Sequence, residues 1–148
     1  MTLQVRDVLI YNEEKLGIAS EPLYEYLQKA KLPHKLVAPH SACWRGYVAI
    51  WTIDNKKLFL IGWQGNILDD IKVGIDYLFP DEEFVFAKWF TGKIRIEMGE
   101  FVGGGYSSIH EGERFLVFEN GVLIDEYVKW LTKEEIEKIQ NKEKDFPF

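Results

Sequence analysis

The sequence holds a single cysteine, Cys43, so no internal disulfide can staple it and nothing points to an oxidising compartment. It has no long apolar run, and no stretch approaches the roughly 20 residues that cross a bilayer as a helix. The opening MTLQVRDVLIYNEE has no basic region leading into an apolar core and a small-residue cleavage site, which reads against a signal peptide. Basic residues are the minority, 18 against 24 acidic, for a formal charge of −6. No basic run of five or more occurs. Nucleic-acid affinity rests on neutralising phosphates with Lys and Arg, so nucleic acid is set aside as a partner, and so is a membrane. Linkers rich in Pro, Gly or Ser, low-complexity tracts and repeats are all missing. The expectation is one globular domain over residues 1–148, cytoplasmic, with a frayed tail at 142–148.

Motifs for cofactors and metals are missing too. His34, His40 and His110 are far apart, with no H-x-H or H-E-x-x-H pattern, and the adjacent acids Asp69-Asp70 and Asp81-Glu82-Glu83 lack calcium-loop spacing. The glycine run has no following lysine for a phosphate loop, and neither G-x-G-x-x-G nor G-x-S-x-G occurs. No metal, cofactor or catalytic residue is therefore assigned.

Aromatics are abundant. Ten Phe, seven Tyr and five Trp make up 15% of the chain, and such side chains suit pleated, half-buried surfaces. Strand runs recur between polar turns. Val5–Asn12 and Leu16–Ser20 flank NEEK, and YVAIWTID and LFLIGW flank NKK. FVFAKWF and KIRIEM around Thr91-Gly92 read as a further hairpin. RFLVFE and VLIDEYVKW flank Asn120-Gly121, which accepts the positive φ angles of a two-residue turn.

Helices are fewer. Ser20 as cap, Pro22 in the first turn and Leu23, Tyr26, Leu27 and Ala30 at helical spacing predict one, which Pro33 stops. Ile67, Ile71, Ile75 and Leu78 predict another within 66–79, against the weakening effect of Gly74. Thr132 and Glu135 form a capping box before a charged C-terminal helix. The fold class is α+β and predominantly antiparallel β. About nine strands in hairpins form a curled sheet, a barrel or sandwich, with two or three short helices. Alternating βαβ units are absent, which excludes a Rossmann-like layout.

Two stretches could carry binding. In HSACWRGYVAIW, a strand reading sets Cys43 and His40 on opposite faces, which removes a simple Cys–His pair, and Cys43 reads as a small buried hydrophobe. Trp44, Arg45, Tyr47 and Trp51 remain as candidate ligand contacts. Arg45 serves either as an anion anchor or as a structural ion-pair partner. In FVGGGYSSIHEGE, the candidates are Gly104, Gly105, Tyr106, Ser107, Ser108 and His110, on a glycine loop that forms either a binding edge or a plain connection.

The stretch SACWRGYVAIW, followed by a short turn and KLFLIGW, resembles a set of small bacterial proteins sharing an ACWRGY…W pattern. The likeness runs over roughly residues 20–65, including EPLYEYL. It implies a bacterial, single-domain protein and carries over no site. The function expected is a non-enzymatic β-rich module that binds a small molecule or a protein partner. The alternatives are an accessory or regulatory protein acting by association, with its acidic C-terminal helix as the docking element, and a hydrolase-type enzyme using Cys43 or His110 with Glu111.

Overall fold

Three hairpins are closed by the same kind of turn. Asn12-Glu13, Asn55-Lys56 and Asn120-Gly121 all have positive φ at both positions: 51° and 67°, 49° and 63°, 49° and 81°. Each joins residues in register: Tyr11 with Glu14, Asp54 with Lys57, Glu119 with Val122. Two-residue turns of this hand match the right-handed twist of the strands, and asparagine tolerates the left-handed conformation.

The computed structural model describes residues 4–103 and 109–144. In chain order the elements are β1 (Asp7–Tyr11), β2 (Glu14–Ile18), α1 (Tyr24–Lys29), β3 (Tyr47–Asp54), β4 (Lys57–Ile67) and β5 (Ile71–Val73). These are followed by β6 (Val85–Phe86), β7 (Gly92–Gly103), β8 (Ile109–Glu119), β9 (Val122–Trp130) and α2 (Lys133–Lys144). The strands form one mixed sheet in the order β2-β1-β3-β4-β9-β8-β7, with β5 and β6 also paired to β4. Every pairing is antiparallel except β1 with β3, whose connection runs through β2 and α1.

The sheet curls until its two edges meet, but it does not close into a barrel. Ala19 N–H donates to Arg95 O at 3.0 Å, and Arg6 Nη2 pairs with Glu97 Oε1 at 2.9 Å. Ser20 belongs to this latch and not to a helix cap. Its hydroxyl donates to Lys93 O and accepts from Arg95 N–H, while α1 starts without a side-chain cap.

The concave face holds the core. Leu9, Ile18, Trp51, Leu58, Leu116 and Phe118 are at most 1% exposed. A register shift opposite Ile50 and Trp51 places an extra residue in β4, so Leu58, Leu60 and Trp63 all reach the core despite their uneven spacing. Much of the aromatic excess is spent here. Trp89 packs on Tyr26, Trp51 and Phe79, and its Nε1 donates to Pro22 O at 2.8 Å.

Two local expectations are corrected. Residues 66–79 are not an α-helix. β4 runs on to Ile67, Leu68–Asp70 turn, β5 returns, and one 3-10 turn covers Ile75–Tyr77. Ile67 and Ile71 are cross-strand partners over a three-residue loop, a geometry that shares the i,i+4 spacing of a helix face. Nor do FVFAKWF and KIRIEM pair with each other. Val85–Phe86 pairs with β4, and β7 pairs with β8. Phe90 and Thr91 instead receive the β8–β9 turn, through Gly121 N–H to Phe90 O and Asn120 N–H to Thr91 Oγ1. The capping box forms as expected: Glu135 N–H donates to Thr132 Oγ1, and Thr132 N–H to Glu135 Oε1. The tail expected to fray from 142 is helical to Lys144, and 145–148 lie outside the described residues.

Candidate functional site

Residues 37–46 form a loop whose two ends meet on one residue. Val37 N–H donates to Asn66 O at 2.8 Å, and Asn66 N–H donates to Gly46 O at 2.9 Å. Gly46 makes this neck possible. Its φ is +79°, and a Cβ there would lie 2.8 Å from Val37 O. Inside the loop, Cys43 N–H donates to His40 O, Gly46 N–H to Cys43 O, and Ala42 N–H to His40 Nδ1. From outside, Gln4 Nε2 donates to Ser41 O, Trp44 N–H to Gln4 Oε1 and Val5 N–H to Ala42 O. A compact loop tied at the neck and at the tip is an Ω-loop, a class that is frequently functional.

This geometry corrects the strand reading of HSACWRG. Residues 40–46 turn, so period-two alternation does not begin until Tyr47. His40 and Cys43 are not on opposite faces; both line one cleft between the Ω-loop and the outer face of the β3–β4 hairpin. Cys43 is buried and its thiol donates to Tyr47 O at 3.5 Å.

Arg45 points away from that outer face to a buried carboxylate. Its Nη2 lies 2.5 Å from Asp7 Oδ1, and its guanidinium carbon sits 4.4 Å from the Tyr47 ring centroid. Nη1 lies 3.5 Å from Glu21 Oε1, close enough for ionic attraction only. Asp7, 1% exposed, also accepts from Ala49 N–H and from Trp51 Nε1, each at 3.0 Å. Burial alone would pull the Arg45 pKa down, but the charge and hydrogen bond of Asp7 outweigh it and hold it above its ordinary value. Burial pushes the Tyr47 phenol up, against the lowering pull of Arg45.

The sequence candidates therefore separate. Trp44 is 62% exposed on the loop, Arg45 and Tyr47 belong to the Asp7 cluster, and Trp51 is fully buried. His110 stands on β8, its Nδ1 3.1 Å from Glu97 Oε2 but poorly aligned for a hydrogen bond, with Phe101 edge-on at 5.8 Å. Glu111, next along the same strand, accepts instead from Glu100 N–H. Gly104, Gly105, Tyr106, Ser107 and Ser108 lie outside the described residues, between paired strands β7 and β8. Among the described residues no group of His, Cys, Asp and Glu is arranged to hold a metal, and no helix is long and apolar enough to cross a membrane.

The cleft has a volume of about 420 Å³. Val48, Ile50 and Gln64 rise from the hairpin, Val5, Pro39 and His40 from the N-terminal segment and loop, and Asn66 sits beneath the loop's neck. Asn66 is 4% exposed, and its Oδ1 has no hydrogen-bond partner. Sequence reasoning overlooked Asn66 and Gln64. Their only signal was polarity within the apolar run LFLIGWQGNI, which turn chemistry explains equally well. No protein-family model, curated protein or solved structure matches this chain.

Proposed function

We propose that the protein is a non-enzymatic β-rich module that binds a small molecule in the cleft beneath the 37–46 loop. The cleft itself carries this reading. It has the size, the apolar walls and the few polar groups typical of small-molecule sites, and two lining residues, Trp63 and Asn66, each hold a buried polar atom without a partner. Of the groups named for an enzymatic alternative, the Cys43 thiol bonds to Tyr47 O, His110 lies against Glu97 and Glu111 accepts from Glu100 N–H. The ACWRGY stretch, which resembles small bacterial proteins, supports a bacterial origin, and the single cysteine fits a cytoplasmic setting.

Titration of ¹⁵N-labelled protein with a library of small neutral and charged compounds tests the reading. The expected result is a set of compounds that shift the backbone amides of His40–Gly46, Val48, Ile50, Gln64 and Asn66 and leave those of β8 and β9 in place. A library that moves none of the cleft amides overturns it.

A further inference from the structure

Away from the cleft, β9 has one edge that the fold leaves open. β8 pairs with it along its length, but β4 meets it only at Val122, and Leu123 N–H then donates to Lys56 O in the β3–β4 turn. From Ile124 to Trp130, among the described residues, no backbone group pairs with that edge. α2 packs on β7, on the far side of β8, and Ile124, Val128 and Trp130 stay 57%, 46% and 59% exposed. An open edge with exposed apolar side chains is a template for another strand.

The pairing with β8 fixes which peptide groups face outward. Leu131 N–H donates to Glu111 O, and the register runs without a shift back to Asp125. Peptide groups alternate along a strand, so those of Lys129, Tyr127 and Asp125 point to β8, and those of Trp130, Val128 and Glu126 point to the open edge. Glu126 N–H accordingly donates to Oδ1 of the neighbouring Asp125, at 2.9 Å, in place of a ladder partner.

The open segment 124–130 is centred on Tyr127. Asp125 and Lys129 stand at equal distance on either side of it, both exposed, and neither joins an ion pair among the described residues. A second copy laid antiparallel, Tyr127 opposite Tyr127, sets Asp125 against Lys129 of the copy, and symmetry repeats the pair. The same register sets Glu126 against Val128 of the copy. Both face outward, so each such pair exchanges its N–H···O bonds. Val128 O of the copy then accepts from Glu126 N–H and frees the Asp125 carboxylate for Lys129. Centring the pairing on Val128 instead would place Tyr127 against Lys129 and lose both ion pairs.

We propose that the protein forms a twofold-symmetric dimer by antiparallel pairing of β9 with β9 of a second copy, centred on Tyr127. Sedimentation velocity from about 10 μM to about 1 mM is expected to show the chain mass giving way to twice that mass. Hydrogen exchange at the Glu126 and Val128 amides is expected to slow over the same range. Lys129→Asp sets like charges opposite each other and should weaken association by about tenfold or more, and adding Asp125→Lys should restore it. Both positions are exposed, so urea midpoints near that of wild type are expected. A monomer at every concentration overturns the proposal and leaves the edge to a strand of another protein. A dimer whose Glu126 and Val128 amides exchange as in the monomer also overturns it, as does one that Lys129→Asp leaves equally tight. The mass and exchange of the wild type decide on their own if a variant does not fold.

Discussion

Two buried polar side chains on opposite faces of the β3–β4 hairpin, Asp7 and Asn66, meet opposite surroundings. On the inner face Asp7 reaches in from β1 and is met on every side: by Arg45, by Ala49 N–H and by Trp51 Nε1. Tyr47, Ala49, Trp51 and Leu60 fill the surrounding space to 3% exposure or less. On the outer face Asn66 is almost as buried, but its Oδ1 meets nothing, and the space around it is a cleft. A satisfied buried carboxylate specifies structure. An orphaned buried amide beside open volume marks a place where something else can bind.

The largest expected effect comes from breaking the inner cluster. Asp7→Ala strips Arg45 and Trp51 of their partner and leaves a buried guanidinium uncompensated, so a loss of about 3–5 kcal/mol is expected in urea denaturation. A loss under 1 kcal/mol, by the order-of-magnitude scale for exposed pairs, would show the cluster to be no more than a surface ion pair.

Gly46→Ala attacks the boundary between the faces. The side chain needs φ +79° and would meet Val37 O at 2.8 Å, so destabilisation of about 1–3 kcal/mol is expected. Faster hydrogen exchange at Val37 and Asn66, with exchange in β8 unchanged, would locate the damage at the neck.

A pH series probes the inner face more gently. The folded pKa of Tyr47 is raised above its unfolded value of 10.0. Its stabilising contribution is fully present below that value and is lost as the pH rises above it, at up to about 1.4 kcal/mol per pH unit. Wild type should therefore lose stability more steeply above pH 10 than Tyr47→Phe does; matching slopes in the two proteins would contradict it.

The smallest effect belongs to the outer face. Asn66→Leu replaces an unpaired amide with an apolar group of similar size, so stability should stay within about 1 kcal/mol of wild type. A loss comparable to that of Asp7→Ala would mean that Asn66, like Asp7, is an integral part of the core.

What was legible in the sequence followed from short-range rules. Asn120-Gly121 announced its turn because few residues accept two successive positive φ angles, and Thr132 with Glu135 announced α2 because both partners of the capping box lie within one turn. Ile67 and Ile71 misled because a helix turn and a three-residue hairpin loop share their spacing. The candidate site was half visible. HSACWRG was singled out as a candidate, but assigning it to a strand set His40 and Cys43 apart, whereas the loop gathers them on one cleft.

The sequence by itself determined the strand-rich composition, the three asparagine-led hairpin turns and the net negative charge, because each depends on residue type and near neighbours. Only the tertiary structure decided which buried polar groups are satisfied. Asp7 lies 38 residues from Arg45 and 44 from Trp51, so local pattern could not pair them. Asn66 is orphaned because a distant loop closes over it without offering a donor. Hydrogen-bond satisfaction is settled by whatever the fold brings within about 3 Å, and that distance has no counterpart along the chain.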